Sequence, residues 1–188
     1  MQVAFKEWAV VVDALERGEQ VVILRKGGIA EGSGSFQVEH SRFLLFPTLY
    51  HQQGEQVIPS AAARLKELAP TLPGPEKVRI QSYAEVTTWW RLESLAVAER
   101  LRGMHVWRDE VIADRFDWGG EQAIHALVLR VWRLPSAVEL PVRPEYGGCK
   151  SWITLATDVD PAGSTPVLDD AAFAAASAAI ARAVEGTK

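Results

Sequence analysis

Residues 123–134 read AIHALVLRVWRL, and this stretch decides the fold. Twelve residues without glycine, rich in branched apolar side chains and closed by Pro135, predict a long strand rather than a helix. Ile124, Ala126, Val128, Arg130 and Trp132 fall on one face; Ala123, His125, Leu127, Leu129 and Val131 fall on the other. Both faces are largely apolar, as expected of a central strand covered on two sides. His125 is then a buried or half-buried structural histidine, and Arg130 needs water or a carboxylate partner, for which Glu31 is one candidate.

The elements around this strand alternate irregularly. Phe5, Trp8, Ala9, Val12 and Leu15 recur at helical spacing and predict a first helix ended at Gly18. Residues 20–24 (QVVIL) predict a short buried strand, and residues 42–46 a second one stopped by Pro47. The glycine-rich stretch between them predicts a hairpin with a long tip. Pro59 and Ser60 open a helix that runs into the prolines at 70, 73 and 75. Residues 77–90 predict a strand, residues 92–101 and 108–116 helices, residues 151–155 a short strand, and residues 169–184 an alanine-rich helix with an acidic start. This order predicts an α+β protein with a mixed or antiparallel sheet and packed helices. It suggests two lobes, residues 1–75 and 76–155, with residues 156–188 as a tail.

Composition narrows the function classes. Apolar residues make up 48% and charged residues 23%, as in a folded globular chain. One cysteine excludes an internal disulfide and a multi-cysteine zinc cage. The N-terminal apolar run is broken by acidic residues, unlike a signal peptide, and no uncharged run reaches membrane length, so the expected location is the cytoplasm and no membrane partner is expected. The net charge of −4 gives no support to a broadly basic nucleic-acid binder, although residues 77–152 are near neutral and can hold a local basic groove.

Residues 25–52 concentrate the chemistry: Arg25, Lys26, Glu31, His40, His51 and Gln52 lie within one glycine-rich stretch. Gly27 and Gly32 have the spacing of a phosphate loop, but the Lys-Ser/Thr half is missing and no helix start follows. His40, His51 and Glu31 could act as acid, base or ligands to a zinc or iron ion, yet their spacing matches no short ligand motif. No motif names a cofactor. Residues 92–116 resemble a helix-turn-helix in outline, but Asp109, Glu110 and Asp114 on the second helix would meet phosphate repulsion. The turn around Cys149, Lys150 and Ser151 has the makings of a thiol site and also of an ordinary strand entry. No serine sits in a nucleophile elbow, and no restriction-type nuclease core is present.

Three blocks carry a family resemblance: residues 24–52 (LRKGGIAEGSGSFQVEHSRFLLFPTLYHQ), residues 104–116 (MHVWRDEVIADRF) with the strand ending at Leu134, and residues 146–155 (YGGCKSWITL). Together they resemble the bacterial domain-of-unknown-function family 1802 over most of the chain up to about Leu155. Some relatives carry this domain beside a restriction-endonuclease-like module. The resemblance thus implies a DNA- or nucleotide-associated accessory role in a restriction-modification or defence-type system, and it carries over no catalytic residues. The tail from Ala156 lies outside these blocks.

The site expected from these readings combines Arg25, Lys26, Glu31, His40, His51 and Gln52 with His105, Trp107, Arg115, Arg130 and Lys150. Arginines and lysines would take phosphate; histidines and Trp107 would contact bases or activate water. The alternative is a small-molecule or phosphoester hydrolase using His40, His51 and Glu31, with or without a metal.

Overall fold

A computed structural model describes residues 1–26, 40–50, 53–120, 122–148 and 150–186. Its frame is a long antiparallel pair, β4 (Lys77–Leu92) with β5 (Ile124–Pro141). Register shifts between Ile80 and Ser82 and between Val86 and Thr88 interrupt the ladder, and such bulges bend and twist a strand pair. β2 (Val22–Arg25) and the two-residue β7 (Thr165–Pro166) pair with β5. On the far side of β4 come β3 (Arg42–Thr48), β1 (Val3–Trp8) and β6 (Trp152–Thr154), giving the order β2-β5-β4-β3-β1-β6. Among the described residues only the β1–β3 pair is parallel, so the sheet is mixed and the class is α+β, as expected.

The sheet curls strongly. Laid flat, six strands would hold β2 and β6 about 24 Å apart at about 4.8 Å per strand. Instead Arg25, the last residue of β2, donates a 2.7 Å hydrogen bond to Ser151, which immediately precedes β6. The two edges therefore face each other across a seam closed by side chains.

Alternation along the strands sends side chains to two cores. Phe5, Phe43 and Leu45 join Leu24, Leu127 and Leu129 in the larger one. Ala4, Leu44 and Phe46 join Ile80, Tyr83 and Ile153 in the smaller one. Each large apolar side chain buried this way contributes roughly 1.5–3 kcal/mol. The prediction for β5 holds: it is paired on both sides, Leu127 and Leu129 are buried, and so is His125.

Helix α1 (Ala9–Glu16) follows β1 without a loop, and Ala9, Val10, Val11, Val12, Ala14 and Leu15 are all buried. The remaining helices are α2 (Pro59–Leu68), α3 (Leu95–Glu99), α4 (Asp109–Asp117) and α5 (Asp170–Glu185). Asp169 caps α5 by accepting the Ala172 N–H at 2.8 Å. Phe173 and Ile180 anchor this helix, which packs on β5 and α3. No helix among the described residues is long and apolar enough to cross a membrane.

Four expectations are corrected. The first helix does not include Phe5 and Trp8: residues 3–8 form β1, because β3 and β6 flank them and provide a backbone ladder on each side. β2 and β3 do not make a hairpin, since β5 and β4 lie between them. β3 runs through Pro47, which faces Glu7 of β1 beyond the last β4 partner at Leu44, so a missing N–H is tolerated there. The helix expected from Leu92 starts at Leu95, because Leu92 still pairs with Ile124. The strands on either side of the proline stretch at residues 70–75 share one sheet.

Candidate functional site

The seam gathers charged groups that the interior would otherwise exclude. The Glu7 side chain is 0% exposed, and Arg25 Nη1 lies 3.3 Å from its Oε2 while Nη2 reaches Ser151 Oγ. Glu7 Oε1 accepts the Trp8 N–H at 2.7 Å, which fixes the carboxylate where β1 becomes α1. The Arg25 guanidinium also lies 4.8 Å from the Phe5 ring centre, a cation–π arrangement. Arg25 keeps 20% of its side chain exposed.

A second guanidinium comes from α4. Arg115 Nη1 donates to the Leu24 carbonyl at 2.8 Å, and its plane lies against Trp8 at 5.0 Å and Trp107 at 4.7 Å. Burial pushes its pKa down to about 10; Glu7 opposes that shift and Arg25 adds to it. It therefore remains a cation near neutral pH. Tyr50 stands edge-on to Trp8 at 5.3 Å and is 40% exposed. Burial raises its pKa, against the pull of Arg115. Beneath it Gln53 donates to the Thr48 carbonyl at 2.7 Å. Gln53 Oε1 and Trp107 Nε1 are buried polar atoms with no hydrogen-bond partner among the described residues, a costly condition for a core.

Beside the seam, His40 and Lys150 line one concavity of about 420 Å³ together with Glu145, Tyr146 and Trp152. The His40 ring meets the Trp152 edge at 5.2 Å, and Trp152 in turn packs on Phe5 and Phe43. Residues about a hundred positions apart thus meet because β1 draws β3 and β6 to its two sides.

Other residues expected at the site have other employment. Lys26 donates to the Phe116 and Ala123 carbonyls at 2.7 and 3.0 Å, tying the end of β2 to the last turn of α4. Trp107 is buried and serves as the platform under Arg115 rather than as a surface for bases. His105 is buried beside it, with its pKa lowered to about 4, chiefly by burial and then by Arg115. Arg130 sits away from this cluster, between Trp132 and Phe173, and pairs with Asp170 at the start of α5. Glu31, His51, Gln52 and Cys149 lie outside the described residues. Among the described residues no three His, Cys, Asp or Glu side chains are grouped as a metal site would require.

Sequence reasoning missed Glu7, Trp8, Tyr50 and Ser151. Glu7 left one trace: a carboxylate inside an apolar run, which a strand buried on both faces holds only with a cation beside it.

The family described as domain of unknown function (DUF1802) matches residues 4–179. The chain belongs to that family. The match includes most of the tail, α5 through Ala179, so the tail is not an addition outside the family blocks. No curated protein matches the sequence. Among solved structures, the chain is similar to ASCH from Zymomonas mobilis at 13% identity and a TM-score of 0.41, covering 92% of this chain and 90% of that one. A serine-to-alanine mutant of the same protein gives 13% identity and a TM-score of 0.43, covering 94% of both chains. A likeness at this level identifies neither a shared site nor a shared activity.

Proposed function

We propose that this protein binds nucleic acid or a nucleotide at the seam, with phosphate on Arg25 and bases against the flanking aromatic rings. The observation that carries this reading is two guanidiniums gathered at the end of β2, Arg25 paired with the buried carboxylate of Glu7 and Arg115 bonded to the adjacent Leu24 carbonyl. One positive charge is left over in a setting poor in water, where attraction for an anion is stronger than at an open surface. A guanidinium fork held by Glu7 and Ser151 is oriented in advance for the two oxygens of a phosphate. Tyr50 beside Trp8 and His40 beside Trp152 are partly exposed rings whose faces would stack on bases, each worth roughly 1–3 kcal/mol. Lys150, in the same concavity as His40, would take a neighbouring phosphate. In a chain of net charge −4, such binding would be local and strongly salt-dependent. A cytoplasmic accessory role in a restriction-modification or defence-type system is the setting we propose; it rests on the family resemblance and not on the site.

Fluorescence anisotropy with labelled single-stranded RNA and DNA oligonucleotides tests the reading. Binding should weaken steeply with salt, and both Arg25→Gln and Tyr50→Ala should lower affinity about tenfold or more while thermal melts confirm a folded chain. Wild-type protein that binds neither strand nor a free nucleotide at low salt overturns it. The same mixtures, with and without added Mg²⁺, Mn²⁺ or Zn²⁺, report strand cleavage, the outcome that a phosphoester hydrolase built on His40, His51 and Glu31 gives.

A further inference from the structure

We infer that the trough walled by the proline stretch is a docking groove for an acidic polypeptide segment carrying apolar anchor side chains. Three parts of the chain form it: the end of β3 with Leu49, residues 72–79, and residues 142–147 after β5. Its volume is about 740 Å³, inside the range of roughly 300–1,000 Å³ typical of ligand pockets.

The walls are apolar and open to water. Leu49 is 50% exposed and Val142 is 38% exposed, two of the five large hydrophobic side chains that stand out among the described residues, and both line this trough with Pro73 and Pro75. Scattered exposed apolar residues mean little, but two in one concave place with proline walls mark a contact surface.

The rim sets the sign of the partner. Lys6, Lys77, Arg79 and Arg143 line the trough, against Glu76 as the one carboxylate among its described lining residues. Lys77 and Arg79 share a single acid, Glu139, at 3.9 and 2.9 Å, and Arg143 meets Glu145 at 3.6 Å. Exposed pairs of this kind hold with about 0–1 kcal/mol, so incoming carboxylates can exchange for them. Complementary charge then steers an acidic segment into the groove.

The lining favours a polypeptide over a nucleic acid. Its two aromatic residues, Phe46 and Tyr146, are buried and present no ring face for a base, whereas Leu, Val and Pro walls accept aliphatic anchors. Pro73 and Pro75 have no N–H, so that wall takes its partner through side chains rather than by adding a strand.

A displayed library of short random peptides, panned against the full chain and counter-selected against the Leu49→Ser/Val142→Ser variant, tests the proposal. Enriched peptides should combine Asp or Glu with Leu, Ile or Val. A synthetic winner should lose about tenfold in affinity for Leu49→Ser/Val142→Ser and about threefold or more for Arg143→Glu, with thermal melts confirming that both variants fold. The proposal is overturned by no enrichment, by enriched peptides that are basic or uncharged, or by equal binding to both variants. It is also overturned if the groove variants lose single-stranded oligonucleotide binding as strongly as peptide binding.

Discussion

The seam and the proline-walled trough handle charge in opposite ways. At the seam a fully buried carboxylate, a half-buried arginine and a hydroxyl close the sheet edge to edge. At the trough, cations and carboxylates meet in open water over apolar walls. A buried ion pair gives little net stability over an apolar pair, yet it is very costly to break. An exposed pair costs almost nothing to make or lose. The seam is therefore where structure and chemistry are coupled, and the trough is where the surface can be altered without disturbing the fold.

The sharpest way to break this contrast is to cut one side of the seam pair. Arg25→Ala leaves Glu7 buried without its cation and should cost about 3–5 kcal/mol in urea unfolding. A double change, Glu7→Leu with Arg25→Met, should recover most of that loss. If Arg25→Ala costs no more than a surface change, Glu7 is not held as the geometry indicates.

The next effect is a pH dependence beside the seam. The folded pKa of His105, about 4, lies below its ordinary 6.5. The unfolded chain therefore takes up a proton at pH values where the folded chain does not. Stability is complete above about pH 6.5 and falls as pH drops toward 4, by about 3 kcal/mol in all. Urea midpoints measured at about pH 7.5 and 4.5 should converge for His105→Gln relative to wild type; an unchanged pH slope in the variant would assign the loss to other groups.

Lys26→Met should come third. It removes an ammonium that bonds two carbonyls and joins β2 to α4, at a cost of about 2 kcal/mol, read as a lower thermal midpoint. At the bottom of the scale, Lys77→Ala or Arg143→Ala in the trough should stay within about 0.5 kcal/mol of wild type by the same melt. A larger loss there would erase the distinction between the two regions.

The legibility of the chain follows the same division. β5 could be read in advance because apolar side chains on both faces, with no glycine, admit only a covered strand. The acidic start of α5 was readable too, since Asp169 and Asp170 open a run of strong helix formers. β1 was not: Phe5, Trp8, Val12 and Leu15 fit a helical period, and only the flanking strands β3 and β6 make residues 3–8 extended. At the site, Arg25, Arg115, His40 and Lys150 were recognisable as polar residues in apolar company. Their roles were not, because Ser151 lies 126 positions from the arginine it meets, and Glu7 reads locally as a helix-surface charge.

Taken alone, the sequence determined the family, the α+β class, the long central strand and the residue types available for an anion site. The strand and the residue types are properties of local pattern, and the class and the family follow from the order of such patterns along the chain. Tertiary structure decided that Glu7 is buried, that Arg25 pairs with it and Arg115 is held on the adjacent Leu24 carbonyl while Lys26 and Arg130 are engaged elsewhere, and that the trough is open. The physical reason is the curl of the sheet: the desolvation that makes a charge costly or useful depends on which edges meet, and no short window of sequence contains both edges.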